Sequence, residues 1–321
     1  QNSYRRGFKQ RSKVCLSHTK FVYTQHSKMF RHSFFLFFLL FATGKTNSVS
    51  PISKLIRLAF GVSKATYMPF EGSRYIQDGK IFGRTKTNDS PSGPYHEEQV
   101  CEVDEWTAKS YEKDNTELIV FKHIKQKLAI FGFRGTEATS FIDWKKNFDM
   151  KLTETSIGST TFKIHQGFRE RYLDIAQWFE DEYQALSEDY TIVITGHSLG
   201  GALSTIAAAY ASGKLNRRPD AVITFGSPLV GDDNFHEYYG KVVGCDHTLR
   251  IKAKFDLFTK VPASKHYTHV CNALEVDGTE GWLGSLNLVK NHSLYAGYKL
   301  GLARKFSNVD KINFGCDKPL P

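Results

Sequence analysis

The sequence predicts an α/β fold, with a mostly parallel central sheet flanked by helices. Three observations predict it. Apolar, β-branched runs alternate with segments of helical periodicity, the order that builds strand and helix layers. One such run, "YTIVIT", leads directly into Gly196-His197-Ser198-Leu199-Gly200. The residues that follow, "LGGALSTIAAAYASG", are rich in alanine and leucine up to a helix stop at Gly213.

At the N-terminal end, residues 1–45 hold nine of the 43 Lys/Arg and no Asp or Glu, so nearly all of the net charge of +10 belongs to that stretch. The remainder, with 34 Lys/Arg against 33 Asp/Glu, is nearly neutral, which argues against nucleic acid as a partner. Met29 opens "MFRHSFFLFFLLFATGK", a basic start followed by an apolar run from Phe34 to Ala42. A membrane span needs about twenty residues; this shorter run reads as a secretory signal cut between Ala42 and Ser50. The division expected is upstream or leader sequence over 1–28, a signal peptide over 29–45 and one domain over 46–321. The alternative is an uncleaved signal anchor.

Within the domain, "ELIVFKHI" and "KLAIFGF" read as a hairpin pair turning at Lys125 to Lys127. "FRERYLDIAQWFEDEYQALS" places Tyr172, Ile175, Trp178, Phe179, Tyr183 and Leu186 at helical spacing. "DAVITFGSP" and "HTLRIKAKF" are further strands, and "YAGYKLGLARKF" is a C-terminal helix. Outside the leader, which contains Cys15, the cysteines are Cys101, Cys245, Cys271 and Cys316, an even number that suits two disulfides in an exported chain. Cys245 and Cys271 flank a strand and its return and are paired on that ground; Cys101 is left to Cys316. No pair has C-x-x-C spacing, so no metal is expected. Of two glycosylation sequons, Asn88 lies in a plausible loop, whereas Asn291 adjoins a candidate catalytic histidine.

A sharp strand-to-helix turn exposes a serine hydroxyl at the sheet's edge, and its neighbours two residues away must lack a Cβ. Ser198, between Gly196 and Gly200, meets both demands and is the candidate nucleophile. A serine needs a base, and the base an orienting acid, in the chain order Ser, Asp or Glu, His. Asp256 follows the strand "LRIKAKF"; Asp232 and Asp233, after "FGSPLVG", are its rivals. His292 comes late enough to follow every acid, and His236, His247, His266 and His269 compete with it. The oxyanion needs donors: the Leu199 N–H is one, and Thr136, in the turn after "LAIFGF", offers a second.

"FRGT", "IHQGF", "TGHSLGGAL", "FGSPLVG", "DLFTKVP" and "NHSLY" stand in the order and rough spacing of the class 3 lipases, the fungal-type triacylglycerol lipases, which this chain resembles from Cys101 to Tyr298. The resemblance implies an α/β-hydrolase fold and hydrolysis of lipid esters at oil–water or membrane interfaces, with no cofactor. No protein partner is evident. By position it carries the nucleophile onto Ser198, the acid onto Asp256, the base onto His292 and the oxyanion donors onto Thr136 and Leu199. In "ATSFIDWKKNFDM", Phe141, Trp144 and Phe148 share one helical face, which reads plainly as an amphipathic helix packed on the core; the resemblance implies a lid there instead. Two departures stand out: Leu229 replaces a frequent arginine, and Asn291 replaces an aspartate before the base. His165 reads as a packing residue. The expected activity is that of a secreted triacylglycerol lipase. A phospholipase A1, a feruloyl-type esterase and a non-catalytic lipid carrier are the alternatives.

Overall fold

The computed structural model describes residues 51–67, 76–77, 80–86, 95–102, 106–135, 150–279 and 288–306, all within one compact unit, Ser48–Pro321. The segment read as a signal peptide, Asn88, Thr136, Phe141, Trp144, Phe148 and Cys316 lie outside the described residues, and of Cys101 only the backbone is described. Among the described residues no helix is long and apolar enough to cross a membrane, and no cluster of His, Cys, Asp and Glu could hold a metal ion.

Helix α1 (Pro51–Ala65) precedes a small antiparallel sheet of β1 (Ile76–Gln77), β2 (Lys80–Lys86) and β3 (Tyr95–Glu102). The main sheet takes β4 (Trp106–Lys113), β5 (Thr116–His123), β6 (Leu128–Phe133), β9 (Thr191–His197), β10 (Ala221–Phe225), β11 (Thr248–Ala253) and β12 (Ala273–Val276). Its order is β12-β11-β10-β9-β6-β5-β4. The first five in that order run parallel. β4 and β5 add an antiparallel edge, with β5 and β6 forming the expected hairpin. A separate hairpin, β7 (Leu152–Ile157) and β8 (Thr160–His165), leads into α2 (Gln166–Gln184). Helix α3 (Leu199–Gly213) follows β9, and α4 (Asp233–Val242) precedes β11.

The central strands are covered on both faces, which explains their nearly continuous apolar sequence. On one face of β9, Ile192 and Ile194 join a core that includes Phe131, Phe133, Phe179 and Leu203. On the other, Thr195 Oγ1 lies 3.0 Å from Ser63 Oγ of α1. A Cβ on Gly132 of β6 would stand 2.5 Å from Val62 Cγ1, so α1 approaches the sheet where glycine allows it. Phe60 of α1 meets Phe225 of β10 edge-on at 5.4 Å.

The predicted helix stripe is present in α2: Tyr172, Ile175, Phe179 and Tyr183 are buried, and Phe168 joins them. Each such side chain contributes roughly 1.5–3 kcal/mol through removal from water. Trp178 stacks on Tyr111 of β4 instead, with centroids 5.3 Å apart. Glu182 binds this helix to the sheet edge, accepting hydrogen bonds from Lys109 Nζ at 2.7 Å, Lys122 Nζ at 2.5 Å and Tyr111 OH at 2.5 Å. Burial alone would raise its pKa, but the three donors hold the carboxyl at about 2.

Cys245 and Cys271 form the predicted disulfide, with Cα atoms 5.4 Å apart. It joins the turn before β11 to the loop before β12, so the segment carrying Asp256 is closed at both ends.

Candidate active site

Between the end of β9 and the start of α3 the chain turns at one residue. Ser198 adopts φ 58°, ψ −127°, a region costly for a residue with a side chain. A Cβ on Gly196 would come 2.3 Å from Gly200 O, and one on Gly200 would come 2.1 Å from Phe133 O. The two glycines of the pentapeptide therefore let the strand, the turn and β6 share one small space. Ser198 N–H donates to Phe225 O at 2.9 Å, which anchors the turn to β10. The serine side chain makes no capping hydrogen bond. Leu199 N–H, at the first position of α3, has no acceptor within the helix.

Asp256 is 2% exposed and lies just past the end of β11. Its Oδ1 accepts the Phe258 N–H at 3.0 Å, capping the short helix Leu257–Lys260. His292 Nδ1 lies 3.0 Å from Oδ1 and 2.9 Å from Oδ2, so this nitrogen is the donor to the carboxylate. His292 is the last residue of α5 (Leu288–His292), and Phe258 packs against its ring at 4.6 Å. A π-helical turn, Leu294–Tyr298, then leads into α6 (Lys299–Lys305). At its end the fully buried Tyr298 hydroxyl donates to Asp256 Oδ2. Burial, then the nearby Asp256 charge, push the Tyr298 pKa far up, so it remains a neutral donor. These groups converge on Gly226, at φ 62°, where a Cβ would meet Tyr298 OH at 2.9 Å, Asp256 Oδ2 at 3.0 Å and His292 Cε1 at 3.1 Å.

His197, next to the nucleophile candidate, links it to this pair. Its Nε2 lies 2.8 Å from the His292 carbonyl oxygen, which can only accept, so Nε2 carries the proton. Nδ1 then accepts from Tyr67 OH at 2.7 Å. Burial, followed by the neighbouring His292, holds the His197 pKa well below its usual value, and the ring is neutral. The two histidine rings pack at 4.6 Å. A Cβ on Gly135, the residue before Thr136, would lie 2.1 Å from Tyr67 OH and 3.2 Å from Ser198 Cβ. The turn read as an oxyanion loop thus departs directly beside Ser198.

The sequence reading did not single out Tyr67, His197 or Tyr298. His197 stood inside the quoted motif, but its contact is with a carbonyl 95 residues away. The rivals find other work. Asp232 caps α4 through the Phe235 N–H at 2.9 Å, and Asp233 accepts from Thr268 Oγ1. His236 Nδ1 bonds the His269 carbonyl at 2.7 Å, and His247 Nδ1 the Asp220 carbonyl at 3.0 Å. His266 lies in an exposed turn. His165 accepts the Phe168 N–H at 3.2 Å and stacks on that ring, a packing residue as expected.

Glu117 of β5 lies 3.1 Å from Arg134 Nη1, at the start of the turn that leads to Thr136. Burial pushes its carboxyl up to about 7, although Arg134 pulls the other way. An acid whose folded pKa exceeds its unfolded value near 4.5 keeps a proton that the unfolded chain has lost. Stability should therefore fall as pH rises from about 4.5 to about 7, by on the order of 2–3 kcal/mol for this group. Glu117→Gln should flatten that part of the stability profile measured by urea unfolding. An unchanged slope would mean that Glu117 is ionised throughout.

Residues 130–266 match the family model of class 3 lipases. A secreted mono- and diacylglycerol lipase of Fusarium solani is 33% identical over 104 residues, which are 32% of this chain and 30% of that protein. A chloroplastic phospholipase A(1) of Arabidopsis thaliana is 30% identical over 152 residues, 41% of this chain and 33% of that protein. The chain thus spans about a third of the length of these curated relatives. The Lip2 lipase structure of Yarrowia lipolytica superimposes with a TM-score of 0.56 at 18% identity, over 79% of this chain and 96% of that one. The matched segment runs from the sheet centre through the serine turn to the loop that carries Asp256; over it the chain is similar to the class 3 lipases, and the chain has the α/β-hydrolase fold.

Proposed function

We propose that this chain is a secreted serine esterase that hydrolyses the fatty-acyl esters of lipids, with triacylglycerol as its substrate class. The observation that carries the reading is the buried Asp256–His292 pair, linked through His197 to the strained turn at Ser198. In this mechanism Ser198 Oγ attacks the ester carbonyl as His292 Nε2 takes its proton. Asp256, accepting from Nδ1, fixes the tautomer and offsets the imidazolium charge. The Leu199 N–H and Thr136 stabilise the tetrahedral oxyanion. Collapse gives the acyl-enzyme and an alcohol that leaves with the proton from His292. Water, deprotonated by the same histidine, then releases the fatty acid. Phe141, Trp144 and Phe148 form the apolar face of a lid that opens at a lipid surface, and the second disulfide joins Cys101 to Cys316.

Tyr298 holds the acid in this scheme. Tyr298→Phe removes one of three donors to a buried carboxylate, and a hydrogen bond to a charged group is worth about 1.5–3 kcal/mol. We expect kcat to fall by about tenfold or more, with KM unchanged. A matched rise in KM would place the tyrosine in substrate binding instead.

A second reading, phospholipase A1, is favoured by the Arabidopsis relative named for that activity. Fatty-acid release from emulsified triolein, phosphatidylcholine vesicles and a dissolved short-chain ester separates the two. Faster release from triolein supports the lipase, and faster release from phosphatidylcholine supports the phospholipase. No release from any of the three would exclude an esterase.

A further inference from the structure

On the face of β11 and β12 beneath the acid-bearing loop lies a cavity of about 550 Å³, lined by Arg250, Lys252, Lys260, Ser264, His269 and Asn272 among others. Arg250 is 5% exposed, and among the described residues its guanidinium makes one hydrogen bond, from Nη1 to Cys271 O at 2.8 Å. Among the described residues no carboxylate pairs with it. Burial lowers its pKa to about 10, so it is still charged at neutral pH. A buried cation with one neutral acceptor is costly unless something completes its partners.

The other charged residues of the lining, Lys252 and Lys260, have the same sign. Lys252, two residues along the strand, pairs with Glu275 at 2.9 Å. Lys260 is exposed and has no ion pair among the described residues. His269 supplies no negative charge: its Nε2 donates to Thr259 O at 2.6 Å, and burial, then Arg250, hold its pKa at about 3. Ser264 Oγ accepts the His266 N–H at 3.3 Å, so its own proton is available to donate. Asn272 is exposed at the rim and adds an amide donor. Three cations and two neutral donors therefore line one space, and one of the cations is paired with a carboxylate.

We infer that this cavity binds a phosphoryl oxyanion, bridged by the guanidinium of Arg250 and the ammonium of Lys260. The planar fork of a guanidinium matches two oxygens of a phosphate, which a halide does not offer. The cavity volume suits a small organic ligand, so the group arrives as free phosphate or as the head of a phosphate ester. The site is separate from the reacting atoms and does not depend on ester hydrolysis.

The test is isothermal titration of the full chain with inorganic phosphate, against sodium chloride at equal ionic strength. Saturable binding is expected, weakened about tenfold by Arg250→Gln through loss of a charge-assisted hydrogen bond, and about threefold by Lys260→Gln. Should Arg250→Gln fail to fold, the exposed Lys260→Gln decides alone. Vesicles of phosphatidylcholine with and without phosphatidic acid identify the source. Retention on the acidic vesicles that free phosphate displaces at fixed ionic strength points to a lipid headgroup. Binding of phosphate and glycerol phosphate without such retention points to a soluble ligand. No binding of phosphate beyond chloride, or equal binding in Lys260→Gln, overturns the proposal.

Discussion

Ser198→Ala should lower ester turnover by roughly 10⁶ in kcat, the loss seen when the nucleophile of a serine triad is removed, and leave the fold intact. The change deletes one oxygen and keeps the Cβ that the turn already accommodates. The contacts that hold the turn are made by backbone and by glycines: the Ser198 N–H to Phe225 O at 2.9 Å and the close approaches at Gly196 and Gly200. Circular dichroism and the melting midpoint should therefore match the parent while fatty-acid release disappears. Retained activity in the purified variant would remove Ser198 from the mechanism.

Asp256→Asn should be nearly as damaging, with kcat down by about 10⁴ as in other triads with this change. The carboxylate accepts from His292 Nδ1, Tyr298 OH and Phe258 N–H. An asparagine presents one acceptor oxygen and an NH₂ group to these three donors. If the NH₂ faces His292, the imidazole must move its proton to Nε2, and the base is lost. Asp232→Asn should behave in the opposite way, since asparagine caps a helix as well as aspartate does, and α4 needs only that cap. Asp233→Asn should also retain activity. Comparing kcat across the three purified variants tests the assignment. A large loss at Asp232 or Asp233 with a small one at Asp256 would move the acid to the "VGDD" turn.

The turn at Ser198 was the most legible part of the chain, because its requirements are local: a buried strand, glycines where a Cβ cannot fit and a helix of small residues. The β5–β6 hairpin and the Cys245–Cys271 bond were legible for the same reason. The acid was less so. Asp232, Asp233 and Asp256 all follow strands or strand-like runs, and only the three-dimensional contacts show that the first two serve α4 and Thr268. Tyr298 was out of reach because its contact with Asp256 depends on a π-helical turn, for which no hydrophobic period is diagnostic. Tyr67 meets His197 across 130 residues of sequence. Helix α1 was not read at all, although Lys54, Arg57 and Lys64 mark a polar face at helical spacing.

The bond between Cys245 and Cys271 spans a sequence separation of 26 residues and encloses Asp256, but neither Ser198 nor His292. Closing a loop of that length removes about 3–4 kcal/mol of chain entropy from the opened segment. The bond therefore restrains one member of the proposed triad while leaving the other two to the sheet and to α5. Reducing agents should act first as inhibitors and only later as denaturants. With a phosphine reductant present, activity should disappear several degrees below the temperature at which the far-ultraviolet signal collapses, while the oxidised protein should lose both together. Coincident loss in both states would mean that the acid loop opens only when the whole domain does.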